Sequence, residues 1–585
     1  MSFNKFPSLI DALLAAPPER PFVTVWNDDD DYETVSFGEF IHLAKLQAAA
    51  FHNCGLRAGD RMILIMPQGI LLMASFAGAM LLGAAPAILA YPNFKVDSSK
   101  YTSGLMGVSQ NLQTRLVVID EDFPSELSQY LEMPQGAALV RTARPSAGSC
   151  DVPPMNHSHS PDGLAFIQHS AGTTGLQKGV ALSNAAVLTQ LDHLATALRI
   201  NGQDRIYSWL PLYHDMGLIA CFMLPLVYHL PVVMQSPVEW VVRPGTMLQL
   251  ISDYRCTLTW LPNFALQFVA RRVRPEDRGQ YDLSTLRAWI NCSEPVRAQS
   301  MDEFLAVYGP YGVRSEALKS CYAMAENVFA VTQSEISGAA RRLWVDGKKL
   351  LEKQVATPVL ENADGSACFV SSGQCLPGNK LRIVSANGQD LPDHSVGEIV
   401  IQSDSLFDGY YNRPDLSAAV IKDGWFWTGD LGFQVDGELY VIGRKKDLII
   451  VAGKNIYPQD IEDIVCRHPA IHDGRAVAFG LYNADRGTED VIVAAELERD
   501  QETSGVFEIE RSLRNAIAAE LDVAPRAIFL KPPAWIVKST AGKPARSTTR
   551  EKLLAEHPEL FEVNSHAGTT KNKRASSADD RISGT

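Results

Sequence analysis

The chain has 585 residues, of which 46% are hydrophobic and 21% are charged, a composition that allows several hydrophobic cores. Its net charge of −14 argues against nucleic acid and anionic membrane surfaces as general partners. The nine cysteines form no C-x-x-C pair, so neither a disulfide framework nor a zinc ribbon is indicated, and a reducing, cytoplasmic setting is expected.

The first predicted element is a helix near the amino terminus. Ser36 and Glu39 form a capping-box pattern, which predicts a helix that begins after Ser36 and ends before Gly55. The residues that precede this helix lack the basic start, the apolar centre and the cleavage site of a secretory signal, so export is not expected.

An uncharged stretch from Met62 to Tyr91 is long enough to resemble a membrane span. Helix-breaking residues interrupt it at Pro67, Gly69, Gly78, Gly83 and Pro86. This spacing favours a strand, a helix and a second strand that form a buried βαβ unit. We therefore predict no integral membrane segment.

Further apolar runs predict strands that alternate with helix-like segments along most of the chain. These runs lie at 115–120, 163–168, 205–210, 232–235 and 257–261. Such alternation predicts a large amino-terminal domain, residues 1–445, of α/β layers with parallel sheets.

The pattern changes near residue 380. KLRIV, GEIVIQ and ELYVIG read as short strands joined by glycine and aspartate turns without room for helices, which predicts a small β-rich subdomain at about 376–442. Helical and strand patterns then alternate over 446–558 and predict a small α+β carboxy-terminal domain. Residues 559–585 are polar and are expected to form a disordered tail.

A glycine-rich segment, SAGTTGLQKG, directly follows the strand predicted at 163–168. Small residues allow backbone N–H groups to converge, two threonines add hydroxyl donors and a lysine adds a cation, which together suit a polyphosphate. The spacing does not match the P-loop signature. By itself the segment is also compatible with a flexible surface turn. Its candidate phosphate ligands are Ser170, Gly172, Thr173, Thr174, Gly175 and Lys178.

Six further motifs follow in a fixed order. They are WLPLYHDMGLI (209–219), NCSEP (291–295), CYAMAE (321–326), WTGDLG (427–432), GRKKDLIIVAGKNIYPQDIE (443–462) and TAGKPAR (540–546). The series resembles the adenylate-forming superfamily of acyl-CoA synthetases, fatty acyl-AMP ligases, peptide-synthetase adenylation domains and luciferases. The resemblance covers roughly residues 10–555.

The resemblance implies that ATP activates a carboxylic acid as an acyl adenylate with release of pyrophosphate, and that ATP and Mg²⁺ are the cofactors. The glycine-rich segment would hold the β- and γ-phosphates. Glu326 matches the acid associated with magnesium in this superfamily, an ion that prefers oxygen ligands. The alternative for Glu326 is a solvated acid at the start of a helix.

The same resemblance implies a site for the nucleoside. Tyr322, followed by Ala323 and Met324, would offer a flat face to adenine, and the backbone at Ser293 and Glu294 would contact the edge of the base. The alternative for Tyr322 is a packed core tyrosine.

Asp430 and Arg444 match the residues that bind the ribose diol, because a carboxylate accepts two hydrogen bonds and a guanidinium donates to the same sugar. The alternative for Asp430 is an ordinary turn. His214 matches the residue beside the acyl carboxylate, with a satisfied core histidine as the alternative.

Lys543 matches the catalytic lysine, a cation that bridges the acid carboxylate and the α-phosphate. Because it lies on the small carboxy-terminal domain, activity is expected to require closure of a mobile domain, with Lys446 and Asp447 as the hinge. Without the resemblance, Lys543 reads as a solvated lysine.

The spacing between Glu326 and Gly373, 47 positions, is longer than is usual in acyl-CoA synthetases. The extra segment, roughly 339–367, resembles the insertion that marks fatty acyl-AMP ligases. It implies a fatty or related acid as the substrate and the phosphopantetheine thiol of an acyl carrier protein as the acceptor. CoA remains the alternative acceptor because the phosphate segment keeps the Thr-Thr-Gly of the wider superfamily. A non-catalytic nucleotide-binding or carrier-docking module is the remote alternative.

Overall fold

The computed structural model of the protein describes residues 6–28, 31–92, 98–141, 160–170, 178–273, 281–452, 454–483, 486–498, 505–538, 543–558 and 560. The chain divides into two compact units, Met1–Lys445 and Lys446–Thr585. In the described part of the chain no helix is long and apolar enough to cross a membrane.

The described part of the first unit contains the strands of three larger sheets and of two short pairs. In chain order they are β1 (Pro21–Asp28), β2 (Asp31–Ser36), β3 (Arg61–Ile65), β4 (Ala85–Ile88), β5 (Leu116–Ile119), β6 (Ala138–Arg141), β7 (Leu164–Ser170), β8 (Lys178–Ser183), β9 (Ile206–Ser208), β10 (Val232–Gln235), β11 (Leu258–Leu261), β12 (Ala288–Asn291), β13 (Leu318–Ala323), β14 (Ala330–Gln333), β15 (Arg342–Asp346), β16 (Ser366–Val370), β17 (Gln374–Cys375), β18 (Asn379–Val384), β19 (Gly397–Ser403), β20 (Ile421–Lys422), β21 (Trp425–Val435) and β22 (Glu438–Arg444).

The α-helices of the first unit are α1 (Leu9–Leu14), α2 (Phe37–Asn53), α3 (Ile70–Leu81), α4 (Ser98–Leu112), α5 (Asn184–Ala197), α6 (Leu224–Tyr228), α7 (Pro237–Val242), α8 (Gly245–Asp253), α9 (Asn263–Arg272), α10 (Ala298–Tyr308), α11 (Gly347–Lys353) and α12 (Pro414–Val420). A π-helix, Met216–Met223, leads directly into α6.

The main sheet of this unit has nine strands in the order β17-β14-β13-β12-β11-β9-β10-β1-β2. Its centre, from β13 to β1, is parallel, and both edges are antiparallel. A second parallel sheet has the order β4-β3-β5-β6. These sheets confirm the predicted α/β fold.

Two local predictions are confirmed in detail. The Ser36 hydroxyl accepts the Glu39 N–H at 3.2 Å, and the Glu39 carboxylate accepts the Ser36 N–H at 2.7 Å, so α2 begins with a capping box. The uncharged stretch folds as β3, α3 and β4, and the two strands pair in parallel. α3 is buried nearly all round, which explains why it resembles a membrane helix.

Of two further predictions, one is confirmed for the strand itself but not for the parallel pairing of the surrounding sheets, and the other is wrong. The strand predicted at 163–168 is present as β7, but it pairs antiparallel with β8 because the short connection between them leaves no room for a crossover. The region expected to lack helices contains α12 between β19 and β20, which begins with Pro414 in its first turn. There the five strands β18–β22 form an antiparallel sheet with β21 as a long, unpredicted member.

The second unit contains β23 (Ile449–Val451), β24 (Lys454–Ile456), β25 (Ile471–Asn483), β26 (Thr488–Leu497), β27 (Ala527–Lys531), α13 (Pro458–Cys466), α14 (Val506–Leu521) and α15 (Arg546–Glu556). Strand β26 pairs antiparallel with β25 and parallel with β27. Apolar residues of α13 and α14 form a core with one face of this sheet, and those of α15 form a core with the other. Leu560 is buried in the second core, whereas the rest of the predicted tail lies outside the described residues.

Candidate active site

The carboxyl ends of the parallel strands β9, β11, β12 and β13 meet at one edge of the nine-stranded sheet. Open parallel sheets bind their ligands at this edge. The motifs at 209–219, 291–295 and 321–326 each follow one of these strands, so the fold brings together segments more than one hundred residues apart.

Tyr322, Asp430 and Arg444 form one hydrogen-bonded and ion-paired group. The Tyr322 hydroxyl donates to Asp430 Oδ2 at 2.7 Å, and Arg444 Nε lies 3.4 Å from Asp430 Oδ1. The pairing of β21 with β22 sets Asp430 opposite Arg444. Burial, together with the nearby Asp430 carboxylate, raises the pKa of Tyr322 well above its ordinary value, so the phenol stays protonated and donates.

Tyr322 is also a packed residue of the core, with only 9% of its surface exposed. Tyr322 is therefore both a packed core tyrosine and a hydrogen-bond donor to Asp430. Ala323 ends β13, and the Met324 N–H donates to the Phe329 carbonyl at 2.8 Å, which holds the chain beyond the strand.

Glu326 lies in a 3₁₀ turn, Ala325–Asn327, just beyond β13. Its Oε1 accepts the Tyr410 hydroxyl at 2.7 Å, and the ammonium of Lys178 lies 4.5 Å from the centre of the Tyr410 ring. Tyr410 thus contacts both predicted phosphate-side residues. The sequence analysis did not identify Tyr410. The pattern that could have indicated it is the pair Tyr410 and Tyr411 between Gly409 and Asn412.

Backbone strain accompanies Glu326. Val328 has φ of +61° and ψ of −53°, and the Phe329 N–H donates to the Asn327 carbonyl at 2.6 Å, which defines a γ-turn with positive φ. A β-branched residue rarely adopts this conformation, and such strain is concentrated at functional sites. Buried Asn327 supports the turn through a 2.8 Å hydrogen bond to the Ala330 carbonyl.

The NCSEP motif follows β12. Ser293 has φ of +68°, and Glu294 Oε2 accepts the Phe264 N–H at 3.1 Å in the first turn of α9. The Glu294 side chain therefore stabilises the amino terminus of that helix. Because the Glu294 side chain is hydrogen-bonded to α9, the predicted contact of this motif with the edge of the base would be made by its backbone.

His214 lies between β9 and the π-helix. Its carbonyl accepts the Leu218 N–H at 2.8 Å, and Asp215 caps the π-helix at Met216. A side chain at Gly217 would place its Cβ 2.2 Å from the Pro211 carbonyl oxygen, so only glycine fits. π-Helices are frequent at functional sites, and neither this one nor the role of Gly217 was foreseen.

The glycine-rich segment is described only at its two ends. Ser170 pairs with Lys178 in the register of β7 and β8. Gly172, Thr173, Thr174, Gly175 and the side chain of Ser170 lie outside the described residues.

His169 precedes this segment and is almost completely buried. Neither of its ring nitrogens has a hydrogen-bond partner among the residues that the structure describes, and burial lowers its pKa to about 4. His169 is therefore neutral at pH 7. Sequence reasoning did not single it out.

In the second unit, Lys543 is half-buried and lies three residues before Arg546, the first residue of α15. The Arg546 guanidinium donates to Asp447 at 2.7 Å and to Glu462 at 2.8 and 3.0 Å. Lys446 is the first residue of this unit, and the turn Lys445–Asp447 spans the division between the units.

The predicted insertion is an ordered part of the first unit. Strands β15 and β16 pair antiparallel around α11, and Arg342 pairs with Asp302 of α10. The Ala356 N–H donates to the His394 carbonyl at 2.8 Å, which joins the insertion to the loop before β19.

The chain is similar to known proteins along most of its length. The sequence profile for the family described as AMP-binding enzyme matches residues 11–411. The chain is 30% identical over 578 residues to the medium-chain-fatty-acid–[acyl-carrier-protein] ligase JamA of Moorena producens (strain JHB), covering 95% of this chain and 96% of that protein. It is 28% identical to a 4-hydroxyphenylalkanoate adenylyltransferase of Mycobacterium marinum (strain ATCC BAA-535 / M), with coverage of 90% and 87%.

Solved structures are similar over nearly the whole chain. A structure from a study of fatty acyl-adenylate ligases of E. coli and L. pneumophila has a TM-score of 0.85 and 27% identity, covering 96% of this chain and 99% of that chain. The L. pneumophila ligase in complex with acyl adenylate and pyrophosphate has a TM-score of 0.71 and 26% identity, with coverage of 94% and 97%.

Proposed function

Because the chain belongs to the family of AMP-binding enzymes, we propose that it activates a fatty acid with ATP as an acyl adenylate and transfers the acyl group to an acyl carrier protein. It is a ligase of the fatty acyl-AMP type, similar along its length to the medium-chain ligase JamA and to the fatty acyl-adenylate ligases. The acceptor is the phosphopantetheine thiol of the carrier protein.

The observation that carries this proposal is the arrangement around the end of β13. Tyr322 connects this strand to Asp430 and Arg444, and four residues later Glu326 connects it, through Tyr410, to Lys178. This order of side chains suits a nucleotide whose ribose contacts Asp430 and whose phosphates extend toward Lys178.

In the first half-reaction, a carboxylate oxygen attacks the α-phosphorus, the new P–O bond forms and the bond to pyrophosphate breaks. The protein contributes positioning and charge rather than a covalent bond. Lys178 stabilises the charge on the phosphates, His214 positions the carboxylate, and Lys543 donates to the carboxylate and α-phosphate. The roles of Lys543, Lys446 and Asp447 follow from the family resemblance of their motifs.

The residues around Glu326 fit a magnesium ion that travels with ATP. Glu326 Oε2 accepts no hydrogen bond from any residue that the structure describes, and the same residues include no cluster of three acidic, histidine or cysteine ligands. Mg²⁺ commonly binds in this way, through one carboxylate together with substrate phosphates and water. When bound it would neutralise phosphate charge, and Glu326 would hold it.

In the second half-reaction, the carrier thiol attacks the acyl carbonyl, the thioester bond forms and AMP leaves. Two observations favour a carrier protein over CoA as the acceptor. The ordered insertion formed by β15, α11 and β16 resembles that of fatty acyl-AMP ligases, and JamA is named as a ligase that acts on an acyl carrier protein.

Exchange of labelled pyrophosphate into ATP tests the first half-reaction. The wild-type protein should exchange only when a fatty acid is present, and Lys543→Ala should abolish exchange. Exchange by Lys543→Ala at the wild-type rate would refute the role of Lys543, and no acid-dependent exchange by the wild type would refute the activity.

A separate assay identifies the acceptor. Purified protein is given fatty acid, ATP and magnesium with either CoA or a holo acyl carrier protein, and the acylated product is measured by mass spectrometry. Thioester should form on the carrier protein. Prompt acyl-CoA formation with no acylated carrier would establish the protein as an acyl-CoA synthetase instead.

A further inference from the structure

Residues 407–411 run beside the hairpin of β7 and β8. The Tyr411 N–H donates to the Gly179 carbonyl at 2.7 Å, the Ala181 N–H donates to the Gly409 carbonyl at 3.1 Å, and the Asp408 N–H donates to the Ala181 carbonyl at 3.2 Å. This segment therefore pairs with β8, the strand that begins at Lys178.

The same segment is joined to two other elements. The Phe407 N–H donates to the Glu326 carbonyl at 2.8 Å, and the Tyr410 N–H donates to the Ser417 hydroxyl in α12 at 2.9 Å. The backbone around Tyr410 is thus hydrogen-bonded to three elements, which fixes the position from which its side chain extends.

The Tyr410 side chain is buried, with 5% of its surface exposed, and contacts two charged groups at once. Its hydroxyl donates to Glu326 Oε1 at 2.7 Å, and its ring lies 4.5 Å from the Lys178 ammonium.

We propose that Tyr410 is a positioning residue that holds the Glu326 carboxylate and the Lys178 ammonium for metal-bound nucleotide phosphates. The inference rests on the function proposed above and assigns a role to a residue outside the motifs that identified the site.

The chemistry explains why such a residue is useful. A carboxylate and an ammonium this close to one side chain attract each other, and a direct ion pair would occupy both groups. The Tyr410 ring gives the ammonium a favourable neutral surface, and its hydroxyl occupies Oε1 of Glu326. Oε2 then remains available to a metal ion.

The test compares Tyr410→Phe with Tyr411→Phe. Each variant loses one phenolic hydroxyl at neighbouring positions, but no hydrogen bond to the Tyr411 hydroxyl is present among the described residues. Binding of Mn²⁺ together with non-cleavable α,β-methylene-ATP is measured by electron paramagnetic resonance, and binding of the nucleotide alone is measured by calorimetry in EDTA.

For Tyr410→Phe we expect the Kd of Mn²⁺ with nucleotide to rise about tenfold, the loss expected for one charge-assisted hydrogen bond. The Kd of nucleotide alone should change less than twofold, and Tyr411→Phe should match the wild type in both. In a Glu326→Ala background, Tyr410→Phe should raise the Kd of Mn²⁺ with nucleotide by less than a further twofold. Tyr410→Leu, which also removes the ring beneath Lys178, should weaken binding of the nucleotide alone.

Equal metal-dependent binding by Tyr410→Phe and the wild type would overturn the inference. So would a loss of equal size with and without metal, accompanied by a lower Tm, because it would give Tyr410 a structural role only. If wild-type protein bound Mn²⁺ and nucleotide as expected but showed no acid-dependent exchange, the proposed function would fail while the role of Tyr410 would stand.

Discussion

The Arg546 guanidinium donates to the Asp447 carboxylate at 2.7 Å, joining the start of α15 to the first residues of the second unit. Asp447 lies at the start of this unit, next to the predicted hinge residue Lys446, and Arg546 begins α15 just after Lys543. Arg546 also pairs with Glu462 of α13. The segment that carries the predicted catalytic lysine is therefore tied to the predicted hinge.

Arg546→Ala should destabilise the protein by about 2–3 kcal/mol, because it leaves two largely buried carboxylates without their cation. Chemical denaturation followed by circular dichroism measures this change. Arg467→Ala is the matched control, since its pair with Glu520 is exposed and should contribute about 1 kcal/mol or less. Equal effects of the two variants would contradict the prediction.

Asp430→Asn should raise the KM for ATP about tenfold or more, because the neutral amide weakens hydrogen bonds to ribose and the pair with Arg444. Tyr322→Phe removes only the hydroxyl that donates to Asp430 and should raise KM a few-fold at most. Steady-state pyrophosphate release at varied ATP concentration checks both values. If the KM for ATP of Asp430→Asn equals that of the wild type, the assignment of Asp430 to the ribose is wrong.

Gly217→Ala should lower the rate of adenylate formation more than tenfold and reduce stability by about 1–3 kcal/mol. The new methyl group would meet the Pro211 carbonyl oxygen and displace the start of the π-helix beside His214. Gly202→Ala is the control, because a Cβ at Gly202 meets no atom within 4 Å. Single-turnover kinetics measures the rate of adenylate formation, and thermal denaturation measures the change in stability. Equal rates and equal stability for Gly217→Ala and Gly202→Ala would contradict the prediction.

The pH dependence of stability should contain a contribution from His169. Its folded pKa of about 4 lies below the ordinary value of 6.5, so protons bind preferentially to the unfolded chain as the pH falls. This contribution is fully present above pH 6.5 and is lost toward pH 4, by at most about 3 kcal/mol. His169→Leu should flatten the dependence between pH 7 and 5 in urea denaturation, and a variant curve parallel to the wild type would disprove it.

Removal of the insertion, residues 339–367, should raise turnover with CoA if this segment restricts the acceptor. A shorter deletion within 347–365 that preserves β15 and β16 is the control for folding, because it keeps the ion pair of Arg342 with Asp302. Acyl-CoA formation is measured for both deletions. No gain with CoA in either folded variant would leave the insertion without a role in acceptor choice.

Much of the fold followed from short-range patterns. The capping box of Ser36 and Glu39, the βαβ unit between Met62 and Tyr91, and the alternation of helices and strands over 446–558 were predictable because neighbouring residues in the chain determine caps, breakers and periodicity. The order of the motifs likewise predicted that Tyr322, Glu326 and Asp430 belong to one site, and the fold brings Tyr322 into contact with Asp430.

Strand pairing was less predictable. The apolar run in β7 indicated a strand but not its antiparallel partner, and α12 was hidden in a region rich in turn residues. Pairing depends on which segments the whole fold brings side by side, and that information is absent from the period of any one segment.

By itself, the sequence determined the α/β class, the βαβ unit and the chemical types of the residues at the site, since these depend on residues close together in the chain. Only the tertiary structure decided that Tyr410 contacts both Glu326 and Lys178, and that Arg546 holds Asp447. The partners in each case are separated by many tens of residues. Their contacts depend on distance and burial in the folded chain, which sequence spacing does not encode.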